Sequence, residues 1–143
     1  IFFPNCKIIH CYRNPKDNCL SLYKNYFPSK DMPWSFDQKD IAKYYILYQE
    51  LMDFWNSIFS ETIFDVNYEN LVNEPETHIR KIIKYCDLEW EDQCLKFHET
   101  KKTPIQTVSA NQARQPIYKS SVESNQNYSD YLTEMFNILD TNH

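Results

Sequence analysis

The order of apolar and polar positions along the chain predicts two short β-strands with helices between and after them. The apolar run that ends at Tyr12 is rich in β-formers, too short for a helix and followed by turn residues, so we expect a buried strand there. Ile63 to Tyr68 has the same character and predicts a second strand. Because the intervening helices would form a crossover connection, the two strands are predicted to pair in parallel.

Helical periodicity accounts for most of the remaining chain. Apolar residues three and four apart predict a long amphipathic helix from Asp37 to about Phe59, packed on the sheet. Other helices are predicted from Pro15 to about Tyr26, from Glu74 onward, from Trp90 to Phe97 and from about Tyr128 to Leu139. The predicted buried stripes are Ile41, Tyr44, Tyr45, Tyr48, Leu51, Met52, Trp55 and Ile58 in the long helix, and Tyr131, Leu132, Met135, Phe136 and Leu139 in the last.

The end of the first strand has the features of an anion site. Asn14 is a predicted helix N-cap, Pro15 suits the first helical position, and Asp17 can reach back as in a capping box. Ligands of open α/β sheets bind at the carboxyl ends of strands, and helix N-termini attract anions through their unpaired N–H groups. Arg13, with Ser21 eight residues on, would suit a phosphate. The same spacing also fits a surface arginine and an ordinary helix serine.

Composition narrows the class of protein. The chain has 143 residues, of which 42% are hydrophobic and 16% aromatic, and this predicts one packed domain. A net charge of −5 argues against general binding to nucleic acid or to anionic membranes. No apolar run has the length of a membrane span.

The spacing of the cysteines and the absence of glycine each exclude a kind of site. Five cysteines without paired spacing indicate neither a zinc site nor a redox motif, and their odd number fits a reducing, cytoplasmic compartment. We expect Cys11 and Cys86 to be small core residues. The chain has no glycine, which phosphate-cradling loops need because the backbone must approach the anion closely, so we predict no P-loop within it.

Four motifs in the right order resemble the sulfotransferases that use 3′-phosphoadenosine 5′-phosphosulfate (PAPS). Arg-Asn-Pro-Lys-Asp from Arg13, followed by Ser21, resembles the 3′-phosphate-binding motif of that family. The helix from Tyr44-Tyr45 through Leu51-Met52 to Trp55 is similar to the long helix of its bacterial and tyrosylprotein-type branch. The remaining two are Tyr68-Glu69-Asn70-Leu71 with Pro75, and Thr107 to Tyr118 with Ser109, Gln112 and Arg114 inside it.

The resemblance implies an α/β fold of the P-loop type, a three-layer parallel sheet with helices on both faces. Residues 1–143 would form the carboxyl-terminal portion of a single sulfotransferase domain, without the amino-terminal loop that grips the 5′-phosphosulfate. In the family the usual catalytic base also lies upstream, so we assign no catalytic residue to this chain. PAPS would be the co-substrate, released as 3′-phosphoadenosine 5′-phosphate (PAP), with no metal.

The resemblance also assigns roles to six residues. Arg13, Ser21 and Ser109 would contact the 3′-phosphate, with Gln112 and Arg114 as supporting donors. Tyr68 would edge or stack on the adenine, although a tyrosine at the end of a strand is also a common core residue.

Several alternatives remain open at this point. Where relatives often have glycine, a basic residue and tryptophan, this chain has Glu123, Ser124 and Asn125. A degenerate module that binds a nucleotide or a partner without catalysis therefore competes with a transferase, and a P-loop kinase relative is a further alternative. The acceptor would be a hydroxyl of a small molecule, a glycan or a tyrosyl side chain. Trp34 and Phe36 are either acceptor contacts or packing residues.

Overall fold

The computed structural model describes residues 6–26, 32–99 and 115–141. These residues belong to two compact units: those up to Tyr12 together with those from Thr62 to Lys119, and those from Arg13 to Glu61 together with those from Ser120 onward. The strands and α-helices are β1 (Ile8–Tyr12), α1 (Pro15–Lys24), α2 (Gln38–Phe59), β2 (Ile63–Asn67), α3 (Tyr68–Asn73), α4 (Pro75–Tyr85) and α5 (Thr133–Thr141). Short 3₁₀ helices cover Pro33–Phe36, Asp92–Glu99 and Ser124–Tyr131.

The first unit is built on a parallel pair of strands. β1 and β2 pair in parallel from Ile8 opposite Ile63 to Tyr12 opposite Asn67, which confirms the predicted strands and their direction. A parallel pair joined through helices is an α/β arrangement. Within the described ranges the sheet has these two strands, so the three-layer sheet stays a prediction.

The helices of this unit pack on β2. The Phe64 ring stacks on the Tyr85 ring of α4, with centroids 4.9 Å apart, and Ile63 and Val66 are buried. The expectation that β1 is buried was wrong: Ile9 is 44% exposed, and Cys11, expected in the core, is exposed as well. An apolar run shows that a strand can be buried, but burial also needs a covering layer, and α3 and α4 pack on β2.

The end of α4 shows how a chain without glycine closes a helix. The N–H groups of Asp87 and Leu88 donate to the carbonyls of Lys84 and Ile83, at 3.0 and 3.1 Å. These two bonds form a Schellman motif, which places Asp87 in the left-handed region at φ 56°. Glycine usually takes that position, and aspartate is one of the few other residues that tolerate it.

The second unit is a three-helix core. α2 packs against α5 and α1, and Asp37 caps α2 by accepting a hydrogen bond from the Asp40 N–H at 3.0 Å. The long helix was therefore predicted to within one residue. The buried core of the second unit consists of Cys19, Leu20, Ile41, Ala42, Tyr45, Leu132, Met135, Phe136 and Leu139.

Two of the predicted buried stripes were partly wrong. Tyr131, expected on the buried side of the last helix, is 79% exposed, because it ends a 3₁₀ helix with three residues per turn and α5 begins only at Thr133. In α2 the stripe is buried at Ile41 and Tyr45, whereas four of its members are exposed. These are Tyr44, Leu51, Trp55 and Ile58.

Cys19 should be the least reactive of the five thiols. It is fully buried, and burial raises the pKa of its thiol to about 12 because the thiolate would lose its hydration. Cys6 and Cys11 are exposed. In a thiol titration with a disulfide reagent at pH 8, we expect fast reaction of the exposed pair and reaction of Cys19 only on unfolding. Fast labelling of Cys19 in the folded chain, read by peptide mass mapping, would contradict this packing.

Candidate functional site

The turn between β1 and α1 has the predicted N-cap. The Asn14 side chain accepts a hydrogen bond from the Asp17 N–H at 3.2 Å, and Pro15 occupies the first turn. An Asn-Pro pair is favourable here because the cap satisfies one unpaired N–H and proline has none to satisfy. Arg13 therefore lies immediately before the positive end of a helix dipole.

Arg13 is held by contacts inside the second unit. Its Nη2 donates to the carbonyl oxygen of Ser121 at 2.8 Å and lies 3.6 Å from Oδ2 of Asp17. The Tyr45 hydroxyl donates to the Arg13 carbonyl at 3.3 Å, which holds the backbone of the same residue. The guanidinium side chain is 19% exposed, so it is restrained yet open to water.

Asp17 is the most heavily hydrogen-bonded side chain of this site. Its Oδ2 accepts the N–H of Glu123 at 2.8 Å. Its Oδ1 accepts the N–H and the side-chain amide of Asn125, at 2.8 and 2.9 Å, and the Ser124 hydroxyl at 3.1 Å. The carboxylate, expected to close a local capping box, thus ties α1 to a segment more than a hundred residues later.

The hydrogen bonds keep the buried Asp17 carboxyl ionised. Burial raises its pKa, but the hydrogen bonds from Asn125, Ser124 and Glu123 outweigh burial and leave the pKa below its usual value of 3.8. Asp17 is therefore a charged acceptor at neutral pH. Four donors around one ionised carboxylate form a rigid connection.

The segment that binds Asp17 contains a strained residue. Glu123 has φ 57° and ψ 20°, in the left-handed region, where a non-glycine residue costs roughly 1–2 kcal/mol. In this conformation its N–H points at Asp17. Glycine adopts this conformation without that penalty, because it has no Cβ.

Ser21 lies one turn beyond Asp17 on the same face of α1, because residues four apart on a helix share a face. It is partly buried, and its carbonyl accepts a hydrogen bond from the Asn25 side chain at 2.7 Å. Asp17 and Ser21 thus lie on one side of α1, and Arg13 precedes the N-cap of the same helix. Ser21 lies on the helix that Arg13 precedes, and their joint contact with a phosphate stays a prediction.

Tyr68 belongs to the first unit. It is the first residue of α3, directly after β2, and is partly buried. Asn67 caps α3 by accepting the Asn70 N–H at 2.8 Å. The strand-end position of Tyr68 was predicted, and its contact with adenine stays a prediction.

Ser109, Gln112 and Arg114 lie outside the described residues. Among residues 6–26, 32–99 and 115–141, no group of three or more His, Cys, Asp and Glu side chains could hold a metal ion. Nor does any helix in those ranges have both the length and the apolar character needed to cross a membrane.

Sequence reasoning missed two sets of polar contacts. The contacts of Asp17 with residues 123–125 have no sequence signal, since two of the four donors are backbone N–H groups. The second is the contact between His10 Nδ1 and Asp65 Oδ1, which lie 2.6 Å apart on the neighbouring strands β1 and β2. The parallel register pairs His10 with Asp65, so a correct strand alignment would have found this contact.

Comparison with known proteins places the chain in a family. The model of the sulfotransferase family matches residues 1–92, which include β1, α1, α2 and β2. The chain belongs to the sulfotransferase family, as the motifs beginning at Arg13 and at Tyr68 predict. This membership supports sulfuryl transfer in general.

Individual relatives agree with the family assignment. The chain is 38% identical over 141 residues to an uncharacterized protein of Aquifex aeolicus (strain VF5), covering 97% of this chain and 18% of that protein. It is 27% identical to sulfotransferase 1A1 of Bos taurus, over 72% of this chain and 40% of the relative. It is 24% identical to flavonol 4′-sulfotransferase of Flaveria chlorifolia, over 73% of this chain and 34% of the relative. The chain thus spans less than half the length of each of these curated relatives.

Proposed function

We propose that this chain supplies the 3′-phosphate and adenine side of a PAPS site in a sulfotransferase that acts on a hydroxyl acceptor. Arg13 and Ser21 bind the 3′-phosphate, together with Ser109, Gln112 and Arg114 of the carboxyl-terminal signature, and Tyr68 contacts the adenine. The sheet belongs to a three-layer α/β fold of the P-loop type.

The position of Arg13 carries the proposal. A guanidinium between the end of a parallel strand and the start of a helix combines a forked cation with a helix dipole, and both favour an anion with several oxygens. Ser21 on the same helix adds a hydroxyl donor. Membership in the sulfotransferase family supports a nucleotide as the source of that anion.

In the proposed reaction a hydroxyl oxygen attacks the sulfur of PAPS as the bond from sulfur to the 5′-phosphate oxygen breaks. The hydroxyl proton passes to a base, and the negative charge goes to PAP. The residues of this chain act by orientation: they fix the nucleotide at its 3′ end, so that the sulfur is held in line with the acceptor.

Competition between nucleotides that differ in the position of one phosphate tests the proposal. Adenosine 3′-phosphate should compete with PAP for the chain, and adenosine 5′-phosphate should compete poorly. PAPS and PAP should bind alike, since no residue here is proposed to touch the sulfuryl group. Equal competition by the two monophosphates would overturn the assignment of Arg13 and Ser21.

Replacing Tyr68 with alanine should weaken PAP and AMP equally. Stacking of a base on an aromatic side chain is worth about 1–3 kcal/mol, and both ligands share the adenine. Calorimetric titration of the variant with each nucleotide measures the loss. Tyr131→Ala, which removes a 79% exposed ring, is the matched control and should leave both affinities unchanged. Full affinity in the Tyr68 variant would remove this residue from the site.

A second candidate function is a module that binds the nucleotide without transfer. The observation that favours it is the acidic Glu123, two residues after the Ser121 whose carbonyl Arg13 contacts, because a carboxylate in that segment disfavours a bound anion. Turnover separates the two functions. The measurement uses the full-length protein, since the family has its usual catalytic base upstream of the motif at Arg13. Release of PAP from PAPS that needs both an acceptor and Arg13 supports the transferase, and binding without release supports the module.

A further inference from the structure

We propose that Asp17 is the positioning residue of the 3′-phosphate site: it locks residues 121–125 against α1 and so fixes the guanidinium of Arg13 for the anion. This inference rests on the proposed function of Arg13. It adds a coupling between the start of α1 and the segment before α5, which are far apart in the sequence.

The contacts form one continuous chain within the second unit. Four donors from Glu123, Ser124 and Asn125 converge on the Asp17 carboxylate, at 2.8 to 3.1 Å. The same segment provides the Ser121 carbonyl that Arg13 Nη2 binds at 2.8 Å. Arg13 is thus held by a segment whose own position depends on Asp17.

Burial makes this arrangement rigid. The Asp17 side chain is fully buried and Asn125 is 9% exposed, so water cannot easily replace the protein donors. A guanidinium fixed at one corner keeps its plane before the ligand arrives and loses less conformational entropy on binding. Preorganisation of this kind raises affinity without adding a contact to the ligand.

The charge of Asp17 has an opposite effect, and the experiment decides between the two. A carboxylate 3.6 Å from Arg13 repels a phosphate bound to the same arginine. Four donors and the arginine itself share that negative charge, which weakens the repulsion. We therefore expect positioning to exceed repulsion, so that removing the charge weakens anion binding.

The test compares the preference for PAP over AMP in matched variants of the chain. Asp17→Asn retains the shape and removes the charge, Ser124→Ala removes one donor and retains the charge, and Asp40→Asn removes an exposed carboxylate from the first turn of α2. The ratio of the two dissociation constants is the readout, because a loss of folded protein lowers both affinities equally and leaves the ratio unchanged.

We expect the preference to fall about tenfold in Asp17→Asn, a few-fold in Ser124→Ala and not at all in Asp40→Asn. Hydrogen exchange should show faster exchange of the Glu123 and Asn125 amides in Asp17→Asn. An unchanged or stronger preference in both Asp17→Asn and Ser124→Ala would overturn the positioning role, as would unchanged amide protection. If the wild-type chain has no preference for PAP, the proposed function itself fails, and the positioning role fails with it.

Discussion

Replacing Arg13 with alanine is expected to lower the affinity of the chain for PAP about ten- to a hundredfold. The variant loses a charge-assisted, forked contact with the 3′-phosphate, which is worth roughly 1.5–3 kcal/mol. AMP lacks that phosphate, so its affinity should change little. Calorimetric titration of both nucleotides into the wild-type and variant chains measures the two effects together.

Two further variants sharpen the test of Arg13. Arg13→Lys retains the charge but not the fork and should recover only part of the affinity. Arg80→Ala removes the same charge from a surface arginine that pairs with Glu76 and lies 3.8 Å above the Trp90 ring. This control should bind PAP normally. Equal losses in the Arg13 and Arg80 variants would mean that net charge alone governs binding.

Asp17→Ala is expected to reduce the free energy of unfolding by about 3–5 kcal/mol at neutral pH. The substitution leaves four donors without their acceptor, two buried ones of Asn125 and two partly buried ones of Glu123 and Ser124, and each lost partner carries a desolvation cost. Urea unfolding measures the loss. A change below about 1 kcal/mol would show that water satisfies these donors and that the carboxylate is not essential to the unit.

The same carboxylate predicts how the loss depends on pH. Because the hydrogen bonds lower the pKa of Asp17 in the folded state below 3.8, its contribution is complete above about pH 4 and declines as the pH falls through the folded-state pKa. The difference in stability between wild type and Asp17→Ala should therefore shrink in acid. A difference that stays constant from pH 6 to pH 2 would contradict the ionised, hydrogen-bonded state of Asp17.

The elements predicted correctly are those with local signals. The Asn14 cap, the start of α1 at Pro15 and the bounds of α2 depend on residues within a turn of each other. The parallel pairing of β1 and β2 follows from a general rule about crossover connections.

Two errors of the fold prediction have different causes. The exposure of Ile9 depends on which layer covers β1, and no pattern within the strand encodes that layer. Tyr131 was placed on the buried side because its spacing from Met135 fits one α-helix. In the structure it ends a 3₁₀ helix, which has three residues per turn, and α5 begins only at Thr133.

The candidate site likewise has features that local sequence predicts and contacts that it does not. The positions of Arg13 and Ser21 around the start of α1, and of Tyr68 directly after β2, were predictable from local sequence, whereas their contacts with a nucleotide stay predictions. The partners of Asp17 were not predictable, since Asn125 is 108 residues away and binds partly through its backbone N–H, which every residue but proline has. Residue identity at position 123 indicated a departure from the family, whereas the role of its left-handed conformation became evident only in three dimensions.

The most direct test of the account is a calorimetric titration of the wild-type chain with PAP and, separately, with AMP. The two ligands differ by the 3′-phosphate alone, which is the group that Arg13 and Ser21 are proposed to bind. We expect PAP to bind at least about tenfold more tightly than AMP. Equal affinities for the two nucleotides would contradict a 3′-phosphate site in this chain.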